Sequence, residues 1–159
     1  WYHMHFHSNR LFVMATCTAM AMMIDACKHG RCEDGGASVH GSTDSHNQGR
    51  NCMDCHRPDG EGETCWQVVG TVFNSDGSGV LPNATLLLFT DTNGQGSLVR
   101  ALEYDGLGNV YTSQQIDFSH VLYPAVRTPA GDTVFMSEPI RDGACNRCHG
   151  VSTARITAP

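Results

Sequence analysis

Basic residues are scarce in this chain. Its 10 Lys and Arg stand against 16 Asp and Glu, a formal net charge of −6. No basic stripe exists to neutralise phosphates, which excludes nucleic acid as a partner. Long apolar runs are missing as well. Leu11 to Ala26 is mostly apolar, but Thr16, Thr18 and Asp25 interrupt it. It falls short of the roughly 20 residues that a membrane-spanning helix needs. From Trp66 onward no apolar period marks a helix. What is present is 40% hydrophobic residues and 17 glycines in 159 positions. That composition fits one globular domain with many turns and a tail.

The N-terminus reads as export machinery. Arg10 precedes the short apolar run and the small residue Ala26 closes it, which is the order of a secretory signal over 1–26. The run ends in IDAC, Ile24 to Cys27, ahead of a Gly/Ser/His-rich segment. This ending resembles the lipobox of bacterial lipoproteins, with Asp25 where a small or apolar residue is usual. The resemblance implies cleavage before Cys27 and lipidation of Cys27. It also implies a periplasmic, outer-membrane or cell-surface location, with the membrane reached through a lipid anchor. His3, His5 and His7 alternate as metal ligands do, but a leader would carry them away. From 27 to 50 the chain is polar and glycine-rich, so a disordered, flexible tether is predicted there.

From Trp66 the composition changes. WQVVGTVF, NATLLLFT, GSLVRALEYD, NVYTSQQIDF, LYPAVRT and DTVFMS are rich in Val, Leu, Phe, Tyr and Thr. SDGSG, DTNGQG, DGLGN and PAGD separate them. Strand-sized runs about ten residues apart, with Gly/Asp/Asn turns between, predict a mainly β chain with a small β-sandwich over 66–140. VVGTVF, the turn DGLGNVY and LYPAVRT resemble the carboxypeptidase regulatory-like (transthyretin-like) sandwich. That resemblance implies a scaffold without catalysis of its own.

Two short segments flank the sandwich, 51–65 and 141–159. Each holds a CxxCH: Cys52, Cys55 and His56 in NCMDCHRPDG, and Cys145, Cys148 and His149 in ACNRCHG. Zinc is one reading, since the two cysteine pairs supply four ligands. Zinc does not require a histidine directly after the second cysteine. A redox dithiol is another, but such a CxxC opens a helix within a βαβ pattern, and none surrounds either copy. Covalent haem accounts for both the spacing and the histidine. Two thiols three positions apart reach the two vinyl groups on one porphyrin edge, and the adjacent histidine lies beneath the iron.

On these motifs the chain resembles a dihaem c-type cytochrome, a lipoprotein by its leader. The resemblance implies two haem c groups. Cys52 and Cys55 would hold the first with His56 as axial ligand, and Cys145 and Cys148 the second with His149. The sixth ligands are open. His46 lies six residues before Cys52, and Met136 nine before Cys145, where a thioether would raise the potential. His120 and His40 are reserves. Cys32 and Cys65 either pair as a disulfide in an oxidising compartment or leave Cys65 unpaired.

Electron transfer with redox partner proteins is the leading expectation, with no catalytic residues assigned. A dihaem enzyme of peroxidase type needs an open iron and nearby acid–base groups. A structural or adhesion lipoprotein with zinc on its cysteine pairs is the third reading. The spacing of the haems is also open. Six strands in up-and-down order would bring both ends to one pole, giving a close pair. Ends on opposite sides would favour assembly into an oligomer or filament.

Overall fold

Valine and leucine dominate two stretches, VVGTVFN and TLLLF, and these become the central strands of two sheets. The structure is a computed structural model that describes Trp1 and residues 34–159. The leader, the lipidation site Cys27 and Cys32 therefore lie outside the described residues. The strands are β1 (Val68–Asn74), β2 (Thr85–Phe89), β3 (Leu98–Glu103), β4 (Asn109–Thr112), β5 (Tyr123–Arg127), β6 (Thr133–Phe135), β7 (Gly143–Ala144) and β8 (Ile156–Ala158). Among the described residues the helical elements are short 3-10 turns at Cys52–Asp54, Thr92–Gly94 and Cys145–Arg147.

The chain is mainly β, a small two-sheet sandwich as its composition predicts. One sheet has the order β3-β2-β5-β6 and is antiparallel throughout. In the other, β1 pairs antiparallel with β4 on one side. On its other side β1 takes β7 along its first half and β8 along its second, both parallel. The core draws on both sheets. Val68, Val72, Val110 and Ala158 pack with Leu86, Leu88, Leu102 and Val126 around the fully buried Tyr104. β1 is buried on both faces, which is why its sequence, VVGTVFN, does not alternate between apolar and polar residues.

Three sequence expectations are corrected. The sandwich does not end at 140, because β7 and β8 of the second CxxCH segment complete the sheet of β1. Strand order is not up-and-down, since β7 and β8 return parallel to β1. The tether expected over 27–50 is built into the fold from Asp34. Ser38 N–H donates to the Tyr111 carbonyl (2.9 Å), Tyr111 N–H to Ser38 Oγ (3.0 Å) and Ser113 N–H to the Gly36 carbonyl (2.9 Å). A polar segment without a core of its own can still satisfy its backbone on the free edge of a strand, here β4.

Candidate functional site

The two CxxCH motifs fold into the same turn. In each, a 3-10 turn starts at the first cysteine, and the second cysteine closes it with nearly equal dihedrals: φ −102°, ψ −39° at Cys55 and φ −104°, ψ −50° at Cys148. In each, the histidine N–H donates to the carbonyl of the first cysteine, 2.9 Å for His56 to Cys52 and 3.1 Å for His149 to Cys145. Both thiols and the imidazole are thereby held on one short arc of backbone.

The rings are oriented alike as well. His56 Nδ1 lies 3.0 Å from the Thr64 carbonyl, and His149 Nδ1 lies 2.7 Å from the Ala154 carbonyl. A carbonyl can only accept, so Nδ1 is the donor in both rings. That is the second-sphere arrangement of a metal-ligating imidazole. Among the described residues, no hydrogen bond engages either Nε2. The turn RPDGEGE brings the Thr64 carbonyl back over His56, with Gly62 N–H on the Cys55 carbonyl at 2.9 Å. A Cβ on Gly62 would stand 2.6 Å from His56 Nδ1, so only glycine fits there. After the second motif, Gly150 N–H donates to the Thr153 carbonyl at 2.9 Å and turns Ala154 towards His149.

The first motif opens into a cleft of about 740 Å³ lined by His46, Cys52, Cys55, His56, Trp66 and Tyr111, among others. That volume is in the range of small-molecule and cofactor sites. The His46 and His56 ring centres are 6.0 Å apart. Two metal–imidazole bonds of about 2 Å each, plus roughly 1 Å from each nitrogen to its ring centre, also come to about 6 Å. Trp66 packs between His56 (5.5 Å) and Tyr111 (4.8 Å), making an aromatic wall. Val151, from the turn after the second motif, lines the same cleft, and a Cβ on Gly150 would lie 3.9 Å from the Gly49 carbonyl. The two motifs are therefore neighbours. Both flank β1, the first preceding it and the second following β7 in register Val68↔Gly143.

Burial raises the Cys52 thiol above its ordinary value and pushes Cys145 up to about 12, with Asp142, Cys148 and Cys52 adding to the latter. A redox dithiol depends on a thiolate at lowered pKa, and the shifts run the other way. Among the described residues, no group of three or more His, Cys, Asp or Glu is placed to hold a metal ion. That bears on zinc, which takes all its ligands from the protein. A haem brings its own ring of nitrogens and asks the chain only for axial donors, and the residues present fit it.

The other sequence candidates fall elsewhere. Met136 is half-buried at the end of β6, its N–H on the Pro124 carbonyl, and no described contact joins it to His149. His40 is occupied, with Nε2 3.0 Å from the Ala84 carbonyl and Nδ1 3.9 Å from Glu103. His120 lines a separate cavity with Ser119 and Arg141. Cys65 is buried and disulfide-bonded, so the unpaired alternative does not hold. The sequence reading missed Trp66 as a site residue, taking it as the opening of the first strand. It missed the carbonyls of Thr64 and Ala154 because backbone acceptors have no signature in residue type. No protein-family model, curated protein or solved structure matches the chain.

Proposed function

We propose that the chain is an exported electron-transfer protein carrying two covalently attached c-type haems. The observation that carries this reading is the duplicated turn, in which each CxxCH presents two thiols and an imidazole whose Nδ1 is tied to a backbone carbonyl. Cys52 and Cys55 would hold the first haem and Cys145 and Cys148 the second. Each thiol would supply both its sulfur and its hydrogen to a vinyl group, so the attachment would need no oxidant and have no leaving group. When bound, each haem supplies a one-electron iron couple.

The chain's own residues do the rest. His56 and His149 would offer Nε2 to the iron, and the carbonyls of Thr64 and Ala154 hold those rings in orientation and would raise their basicity. His46, its ring centre 6.0 Å from that of His56, would serve as the second protein donor at the first site. Trp66 and Tyr111 wall the cleft and keep water from one side of it, which lowers the local dielectric and so tunes the potential. The adjacency of the motifs supports exchange of electrons within one chain. Export, with a lipid on Cys27, belongs to the same reading, and the disulfide at Cys65 is in keeping with an oxidising compartment.

Replacing one cysteine tests the attachment. Cys148→Ser is expected to weaken or abolish covalent colour at the second site and leave the first intact on a denaturing gel stained for haem. Equal colour in wild type and variant would count against the assignment.

A further inference from the structure

His46 is exposed, and among the described residues its side chain makes no hydrogen bond. Its ring can be aimed only by its backbone, and the backbone of 45–49 is held from below. Thr71 of β1 and Asn109 of β4 are cross-strand partners, 0% and 3% exposed. The Thr71 hydroxyl donates to Asn109 Oδ1 at 2.6 Å and accepts the Gly49 N–H at 2.9 Å. Asn109 Nδ2 donates to Ser45 Oγ at 2.9 Å and to the His46 carbonyl at 3.3 Å. The His46 carbonyl can only accept, so it fixes which end of the Asn109 amide faces it. Asn47, at φ 56°, reverses the chain after His46 so that Gly49 can reach Thr71.

This buried pair is more than packing. Valine at 71 and an apolar residue at 109 would suit a strand pair of this burial equally well. The Thr71 hydroxyl and the Asn109 Nδ2 instead both reach the loop that carries His46, at Gly49 and Ser45 on either side of that residue and at its own carbonyl. Its own seat is rigid, since Asp105 Oδ1 accepts the Asn109 N–H at 2.9 Å. We infer that the Thr71–Asn109 pair is the positioning device that holds His46 opposite His56, so that the first site is six-coordinate and the donor cannot swing away. This inference rests on the haem reading above and adds to it the residues that decide the ligation state of the first iron.

The test uses the full mature protein and reads absorption, spin state and carbon monoxide binding of the reduced form. Haem number is counted separately by denatured pyridine spectra. His46→Ala is the reference for a lost donor. Thr71→Val and Asn109→Ala are expected to keep two haems and to convert one of them from low to high spin, as His46→Ala does. One carbon monoxide per chain should then bind where wild type takes up none at that site. Thr71→Ser, which keeps the hydroxyl, is expected to retain the wild-type spectrum, and Ser45→Ala gives a milder shift should the buried variants not fold. Thr71→Val, Asn109→Ala and Ser45→Ala all with wild-type spectra, beside a changed His46→Ala, would overturn the positioning role alone. An unchanged His46→Ala with two haems present would overturn the ligand and its positioning together. A chain without haem would overturn the reading beneath both.

Discussion

At the scale of single residues, the two CxxCH motifs were legible and the groups that support their histidines were not. Cysteine spacing and the following histidine survive translation into structure because the whole motif is one local turn. His46 was within reach because it lies close to Cys52 in sequence. Met136 follows β6 in the sheet that does not contain β1, because nearness to Cys145 along the chain says nothing about which sheet a strand joins. Gly62 gives a sharp test at this scale. Gly62→Ala would place a methyl 2.6 Å from His56 Nδ1 and force the ring off the Thr64 carbonyl. The expected outcome is a changed spin state or potential at one haem with both still attached, and an unaltered potential would contradict the orienting role. Cys145 gives a pH test on haem-free chain. Burial pushes its folded thiol up to about 12, from an ordinary value of 9.0. Between those values the folded state holds a proton that the unfolded state has released, so stability is present below about pH 9 and lost as pH rises towards 12. Denaturant midpoints across that window are expected to fall for wild type and to fall less for Cys145→Ala.

At the scale of elements, the six strands read from composition are all present, because Val/Leu/Phe runs bounded by Gly and Asp leave little choice. β7 and β8 escaped the reading. GA and ITA carry no pattern of their own, and their pairing is dictated by the unsatisfied edge of β1. The segment 34–50 escaped for the same reason on the other side, at β4. Gly143 shows how tight the β7 pairing is, because a Cβ there would lie 2.1 Å from the Gln67 carbonyl. Gly143→Ala is expected to destabilise by roughly 2 kcal/mol or more and to disturb the second haem ahead of the first. A thermal melt within 1 °C of wild type would contradict the pairing. The core of the opposing sheet makes its own demand. Leu88→Ala removes a side chain with 0% exposure and is expected to cost about 2–5 kcal/mol in denaturant unfolding. Leu98→Ala, at 52% exposure in β3, is expected to cost about 0.5 kcal/mol or less.

At the scale of the whole molecule, β1 is the common support of both motifs. The first CxxCH leads into it, the second emerges beside its start, and the turn after the second lines the cleft of the first. Up-and-down order would have brought the ends together by strand parity. The fold does so by a parallel return. Two irons held at these motifs would be expected to interact, and the paramagnetic resonance spectrum of the oxidised protein should then differ from the sum of the two single-haem variants. A simple sum would contradict the close pairing. The central claim is more basic than their spacing: this sandwich carries two covalent haems. Intact mass of the purified mature chain, read together with a denatured pyridine spectrum, measures it most directly. The account expects a mass higher than the polypeptide by two whole haems, with no hydrogen lost, and a pyridine spectrum of the two-thioether type at two per chain. A chain of polypeptide mass with free thiols at Cys52, Cys55, Cys145 and Cys148, or with stoichiometric zinc in their place, would contradict it.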